Sequence, residues 1–575
     1  MAAKCAMIRR MTTYPTRETV SLDGLWDFHF DAETSLEAFA PGALPFDDTM
    51  PVPSAFDATP AYLIRRGLAI YRRTFRLERD CPDALLRIGS CGLRGRFWVD
   101  GRTVGAADMP YNAFAFRTGP LAAGEHEVVA VCDNRFNAEK MPFFLPYYDF
   151  YAYGGLYRGV TVETLPQGIR LDRVQVRTTD LAVGRVELRV LLLEGADVAV
   201  DAAIRFDGGA EARIVPLEFR GGVATVECAV PNARVWSLES PAMHTVEVRC
   251  GDDAVVETFG IRTFEARDGK FWLNGKPIRL FGFNRHESHP DFGPAVPPAV
   301  MASDLQRVRA CHANFLRGAH YPQDPAFLDL CDRMGVLVWE EGLAWGNTPE
   351  QLANPVFADG QVAQIRRMVR ASVNHPSVVI WGFLNEFASE SDAGVALCRR
   401  LMDACHEEDA SRPATFACNR GTSDRCVPLA DIVAYNTYPG WCDGNPRGDI
   451  EDMVAPDRDR LLAHFKAQRK PGAPIMVSEM GVCALYGHRD PAASQWSEEF
   501  QERYLRRVVE EVLGCEDLQG LAIWQFCDAK SYHREGASLR VKPLALNTAG
   551  VFDVYRRPKK SAEMMFNGIP GVSLP

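Results

Sequence analysis

The sequence lacks a surplus of positive charge and any basic run: 64 lysines and arginines stand against 75 aspartates and glutamates, for a net charge of −11. An acidic chain without a basic patch repels polyanions, which argues against nucleic acid and anionic membranes as partners. No uncharged apolar run is long enough to span a bilayer. The opening MAAKCAMIRRMTTYPTRETV holds no apolar stretch of about 7–15 residues, so it does not read as a signal peptide. Sixteen cysteines are present, but no two form a CxxC pair, and Cys311, Cys331, Cys405 and Cys527 lie singly on apolar runs. They read as reduced small hydrophobes of a cytoplasmic protein, not as a zinc site. Gly-rich phosphate loops, internal repeats and low-complexity tracts are also missing.

What is present is ordinary globular composition, 47% apolar and 24% charged, over a length that needs several domains of roughly 150 residues each. Aromatic residues are plentiful, chiefly for core packing, with some faces suited to a carbohydrate or apolar ligand. Up to about residue 265 the pattern is short alternating runs with turn signals, such as YRRTFRLE at 71–78, GRFWVDGRTVG at 95–105 and HEVVAVCDN at 126–134. Asp100-Gly101 between two runs predicts a hairpin. So long an all-β stretch predicts two sandwiches with a break near 164–168, and the second, of near 100 residues, suits an immunoglobulin-like fold.

After about 270 the period switches. Short apolar strands alternate with helical segments such as AVMASDLQRVRACH and AFLDLCDRMG. Strands are expected at 278–284, 313–320, 336–341, 378–386, 415–419, 432–438, 475–481 and 521–528, which fits a (β/α)8 barrel. The active site of such a barrel lies at the C-terminal strand ends. Those ends bring together Asn284-Arg285-His286-Glu287, Arg317 with His320 and Tyr321, Glu340-Glu341, Asn385-Glu386, Asn436 with Tyr438, Ser478-Glu479, and Trp524 with Asp528. Two carboxylates from strands four and seven meet across a barrel mouth, as glycoside hydrolysis needs: one protonated to assist departure, one ionised to attack. A lone strand-end glutamate is more commonly a salt-bridge partner, the reading taken for Glu340 and Glu341.

The segment VNHPSVVIWGFLNE at 373–386 closely resembles the acid–base signature of glycoside hydrolase family 2. NFLRGAHYP at 314–322, through Asp332 and Gly335, resembles the family's other signature, with Gly318 where Ser, Thr, Ala or Cys is usual. NRHESHPDFG at 284–293, DFYAYGGLYRGV at 149–160 and the terminal YRRPKKSA are also family-like, so the resemblance covers nearly the whole chain. It implies a jelly-roll sugar-binding-like domain at 1–165, an immunoglobulin-like β-sandwich at 166–265 and a catalytic barrel at 266–575. It further implies Glu386 as general acid/base, its pKa raised by the charge of Glu479, and Glu479 as nucleophile. Asn385 would hold the 2-hydroxyl, and Tyr438 would donate to the nucleophile. His320 and Trp524 would line the sugar subsite, and Asp149 would overhang the mouth, giving exo action. No cofactor is expected. The metal-dependent β-galactosidases carry added Glu and His ligands after the third strand, and EEGLAWG holds no such histidine, so no catalytic metal is expected either. The family often forms dimers or tetramers, so a homo-oligomer is expected.

The sugar is harder to read. β-Glucuronidases of the family carry an Asn-x-Lys pair that grips the substrate carboxylate; here Asn547 is kept and Ala549 replaces the lysine. Cys442 stands where a tyrosine is expected. Arg540 or Lys542 would be a substitute cation. The sequence therefore leans slightly to a neutral β-hexoside such as a β-galactoside, with β-hexuronides as the close alternative, favoured by chain length and domain content. A non-catalytic carbohydrate-binding protein is the reading of another class, and the intact Asn385-Glu386 and Glu479 argue against it. A metallohydrolase lacks its HxH at the first strand end.

Overall fold

The computed structural model describes residues 12–42, 45–144, 150–441, 450–532, 542–572 and 574. The first β region is a sandwich. Its six-stranded sheet runs in the order Asp48–Val52, Gly24–Asp31, Leu68–Leu77, Gly124–Asp133, Arg94–Val99, Arg102–Ala107. Facing it are Thr19–Ser21, Gly155–Thr164, Ala84–Gly92 and Phe114–Arg117. Strand alternation fills the space between them: Trp26 and Phe28 point inward while Leu25 and Asp27 point out. Asp100 and Gly101 both take positive φ, 49° and 73°, and close the expected hairpin between Arg94–Val99 and Arg102–Ala107.

The second sandwich pairs a five-stranded sheet with the three strands Leu171–Asp180, Arg185–Leu192 and Val223–Ala229. Its core is aliphatic, built on Val186, Leu188, Val190, Leu217, Val246, Val248 and Val255. The first described residues, Thr12–Thr13, add an edge strand to Asp253–Phe259 of this sheet.

The eight parallel strands of the closed barrel are β1 Leu280–Asn284, β2 Phe315–Gly318, β3 Leu337–Glu341, β4 Val378–Asn385, β5 Ala414–Cys418, β6 Val433–Asn436, β7 Ile475–Met480 and β8 Leu518–Ile523. Every residue of these strands is buried, as expected where helices cover one face and a packed interior the other. The last strand starts three residues before its expected position, so Trp524 and Asp528 lie beyond its end. The helix Pro325–Met334 illustrates how local chemistry sets the boundaries. Asp324 caps its first turn by accepting from the Ala326 N–H, and Pro325 occupies the first helical position. Gly335 ends it at φ 67°, where any Cβ would lie 2.2 Å from the Leu238 carbonyl oxygen.

A three-stranded sheet, Phe264–Arg267, Lys270–Leu273 and Lys276–Ile278, covers the N-terminal end of the barrel: Trp236, Phe264 and Phe271 pack on Leu280, Phe315, Leu337 and Met476. The first sandwich packs instead on loops at the opposite, C-terminal end. Tyr111 stacks on Tyr321 at 3.7 Å and 9°, and Arg158 donates to the Glu287 carboxylate at 3.0 Å and the Pro322 carbonyl at 2.8 Å. Met141, Phe143, Phe144 and Phe150 join the same apolar cluster as the barrel helices. Among the described residues no helix is long and apolar enough to cross a membrane.

Candidate active site

The mouth of the barrel is built on a buried guanidinium. Arg317, at the end of β2, is wholly inaccessible; it donates to four groups and lies 3.3 Å from a fifth, His320 Nδ1. Its Nε and one terminal nitrogen hold both oxygens of Glu341, the last residue of β3, at 2.9 and 2.8 Å. The other terminal nitrogen donates to Glu479 at 2.6 Å and to the Asn284 side-chain oxygen at 3.0 Å. The nitrogen facing Glu341 also reaches the Asn385 side-chain oxygen at 3.0 Å. One residue thus ties β1, β3, β4 and β7 together.

Glu386 is joined to this hub through amides. Asn436, at the end of β6, donates from Nδ2 to Asn385 Oδ1 at 3.1 Å and to Glu386 Oε1 at 3.0 Å. Its own oxygen accepts from Ser478 Oγ at 2.7 Å, and the Ser478 carbonyl accepts from Asn284 Nδ2 at 2.8 Å. A closed circuit therefore runs from Asn385 and Glu386 through Asn436, Ser478 and Asn284 to Arg317, which holds Glu479. The backbone turns sharply where β4 ends: Leu384 and Glu386 take φ of 46° and 53°, a left-handed conformation that non-glycine residues adopt at a cost of about 1 kcal/mol or more. Such strain concentrates at functional positions, where surrounding contacts fix it.

Glu479 is buried. Burial raises its carboxyl above the usual range, opposed by Arg317 and by the Tyr438 hydroxyl, which donates to its second oxygen. His320 sits against Glu341, Nδ1 to carboxylate 3.0 Å, and its Nε2 lies 3.9 Å from Glu479. Burial and the neighbouring Arg317 push the imidazole well below its ordinary pKa, so the ring is neutral, with the Nδ1 proton on Glu341 and Nε2 an acceptor. That Nε2 and the Asn385 Nδ2 are buried with no protein partner among the described residues. One acceptor and one donor are thus free beside the carboxylate pair, the complement that sugar hydroxyls require.

The wall of the site is aromatic. Trp524 stacks on His320 at 5.3 Å and 15° and meets His286 edge-on at 5.5 Å. Tyr438, Trp441 and Trp496 pack against the cluster of Ala319, Cys483, Trp524 and Ala549. Lys542 is 8% exposed, and its ammonium stands 5.5 Å over the Trp441 ring. Its charge also helps depress His286, whose pKa is lowered chiefly by burial, then by His320 and Arg317. Asn547 is buried, its side-chain oxygen accepting from the Ala549 N–H at 3.2 Å. Lys559 is occupied by Asp528 at 2.8 Å and by the carbonyls of Ala484 and Thr548.

Glu386, Glu479, Asn385, His320, Tyr438 and Trp524 therefore lie at one mouth, with Asn547 on the loop beside it. Asp149, Arg540 and Cys442 lie outside the described residues. Phe150, next to Asp149 in sequence, packs 5.0 Å from His286 and 5.8 Å from His320. The salt-bridge reading holds for Glu341 but not for Glu340. Neighbouring strand residues face opposite sides, so Glu340 points away from Arg317 and makes no ion pair among the described residues. Sequence reasoning gave no role to Arg317, Asn436 and Asn284. Their signal was a polar residue at the inner end of a wholly apolar strand, which is costly unless it is used.

A buried group outside this mouth has the composition of a cation site: Asp329, Asp332 and His375 place ligand atoms within 4.8 Å of one another. Hydrogen bonding occupies two of its three members. Both Asp332 oxygens are engaged, one by His375 Nδ1 at 2.6 Å and one by the Ser377 N–H at 3.0 Å.

Comparison with known proteins gives the family. Residues 264–568 match the glycosyl hydrolases family 2, TIM barrel domain. The β-glucuronidase of Chlorocebus aethiops is 28% identical over 96% of this chain and 91% of its own length. That of Paenibacillus borealis is 26% identical over 96% of both chains. Among solved structures, the family 2 β-galacturonidase from Eisenbergiella tayi bound to galacturonate superposes with a TM-score of 0.88 at 30% identity, over 99% of this chain and all of that one. The Bifidobacterium dentium β-glucuronidase complexed with coumarin-3-O-glucuronide gives 0.86 at 25% identity, over 98% and 99%.

Proposed function

The chain belongs to glycosyl hydrolase family 2, and on that premise we propose that this glycoside hydrolase is a retaining exo-β-hexuronidase whose nucleophile is Glu479 and whose acid/base is Glu386. The observation that carries the reading is the single hydrogen-bonded circuit that suspends both glutamates over one aromatic-walled mouth. Glu479, ionised against Arg317 and Tyr438, attacks the anomeric carbon while Glu386 gives its proton to the departing oxygen. Glu386, now a carboxylate, takes a proton from water, which displaces Glu479 and releases the sugar with its configuration kept. The unpartnered Asn385 Nδ2 supports the 2-hydroxyl, and His320 Nε2 accepts from a second hydroxyl.

The slight lean toward a β-galactoside is corrected here. It rested on Ala549 in place of a lysine, but the relatives of matching length act on glucuronides, and the β-galacturonidase holds galacturonate. Lys542 offers the missing cation from another position in the same loop region, next to Trp441. Exo action is supported by the first sandwich, whose Tyr111, Phe150 and Arg158 crowd the loops after β1 and β2.

The test is a panel of nitrophenyl β-glucuronide, β-galacturonide, β-galactoside and β-mannoside, with proton NMR of the first-formed product. A hexuronide is expected to be hydrolysed fastest and to appear first as the β-anomer; a preferred neutral hexoside or an α-product would refute the reading. Glu479→Gln should lose activity by about 10³-fold or more while still binding product. Glu386→Ala should spare kcat/KM for dinitrophenyl substrates, whose leaving group needs no proton, while lowering their kcat because water is no longer activated, and should lose about 10²–10⁴-fold in kcat/KM on alkyl aglycones.

A further inference from the structure

The charges around Arg317 do not balance until the reaction is considered. One guanidinium faces two carboxylates, Glu341 at 2.8 and 2.9 Å and Glu479 at 2.6 Å, and all three side chains are 0–3% exposed. His320 adds no charge, because burial and Arg317 keep it neutral. The other titratable groups that face this set are His286 from the end of β1, Tyr438 beyond β6, Glu386 after β4 and Lys542 beyond Trp441.

When Glu479 attacks, its oxygen bonds to the anomeric carbon and the bond to the leaving oxygen breaks. That oxygen keeps the electron pair, and Glu479 becomes a neutral ester. If Glu479 were the only counter-ion, this step would strand a buried guanidinium without a balancing charge, which is strongly unfavourable.

We propose that Glu341 is the positioning counter-ion of the nucleophile: its bidentate grip fixes Arg317, and its charge is the one left to balance the guanidinium once Glu479 has been glycosylated. The reactant state carries the surplus negative charge, and the covalent state is the balanced one. The arrangement thus favours formation of the glycosyl-enzyme over the resting carboxylate. His320 contributes by hydrogen-bonding the same carboxylate, so the sugar-facing imidazole and the counter-ion are held as one unit. The proposal rests on the reading of Glu479 as nucleophile.

Glu341→Gln tests it, with 2,4-dinitrophenyl 2-deoxy-2-fluoro-β-D-glucuronide and its galacturonide epimer as trapping probes. These lose dinitrophenolate without a proton, so Glu386 does not confound the rate. With its negative charge gone, Glu479 ionises more readily, and the acid limb of kcat/KM should move down by about one pH unit. Trapping should slow by about tenfold or more, whereas spontaneous release should be no slower. Glu341→Asp keeps the charge and should trap more slowly with its acid limb where the wild type has it. If Glu341→Gln does not fold, the Asp variant decides: a displaced acid limb overturns the proposal and an undisplaced one supports it. Unchanged trapping and an unmoved limb in a folded Gln variant overturn it as well. Peptide mass spectrometry of the trapped wild type separates the two levels. A label on Glu479 with wild-type kinetics in Glu341→Gln defeats only the role of Glu341; a label elsewhere defeats the nucleophile assignment itself.

Discussion

The proposed hexuronide specificity puts its weight on Lys542. A uronate brings a carboxylate into a largely dehydrated mouth, and an unpaired carboxylate there loses several kcal/mol. Lys542 is almost wholly buried over Trp441, the ring that flanks the nucleophile's partner Tyr438 at 4.9 Å. Hydrogen bonds to charged groups are worth about 1.5–3 kcal/mol, so Lys542→Met should raise KM for a hexuronide roughly 10–100-fold and leave a neutral hexoside unaffected. Steady-state kinetics on the two substrates checks this, and an equal loss on both would assign Lys542 a structural role instead. At this scale long motifs marked the two glutamates, and the structure brings both to one mouth. Arg317 and Asn436 were not marked, because a sequence does not reveal which polar residues at strand ends share hydrogen bonds. Asn385 makes the difference concrete: its motif marked it, but only the geometry leaves its Nδ2 free.

Among the elements, β3 shows most clearly what alternation does to a parallel strand. Glu341 turns inward to Arg317, while Glu340 turns outward into the layer between barrel and helices. There burial pushes its carboxyl up to about 7, only partly offset by Ser372, His375 and Arg158. One Glu340 oxygen has no hydrogen-bond partner among the described residues. A carboxyl whose folded pKa lies above its unfolded value binds its proton more tightly when folded. Its stabilisation is fully present below about pH 4.5 and is lost as pH rises through about 7. Glu340→Gln keeps the neutral shape at every pH. It should therefore match the wild type near pH 4.5 and be more stable by about 2–3 kcal/mol at pH 8. Urea unfolding at the two pH values measures this; a uniform gain or loss would show that charge is not the cause. Strand positions were legible because apolar runs between helical segments have few alternative readings. The end of β8 was read too far along, because LAIWQFCD stays apolar past Ile523, where the chain has already left the ladder.

For the whole molecule, the first sandwich and the barrel meet at the mouth. The order of β-sandwiches and barrel was legible from the change of period, but the way they dock was not. It depends on side chains far apart in sequence, such as Arg158 with Glu287 and Tyr111 with Tyr321. Arg158 is buried, and it also holds the carbonyls of Tyr111 and Pro322 at 2.6 and 2.8 Å. Glu287 is buried too, and it accepts from the Asp324 N–H that begins the helix after β2. Removing one partner of a buried ion pair leaves the other charged and unpaired, at a cost of about 3–5 kcal/mol. Arg158→Met should therefore destabilise by that amount. It should also lower kcat/KM, because the loops carrying His286 and His320 lose their support. The double variant Arg158→Met with Glu287→Gln removes both charges and should recover much of the stability. It should recover less of the activity, since the bonds that set the loops stay broken. Chemical denaturation and steady-state kinetics on the four proteins of this cycle test the claim together. A double variant no more stable than the single one would mean that the two bodies are held by their aromatic contacts and not by this charge pair.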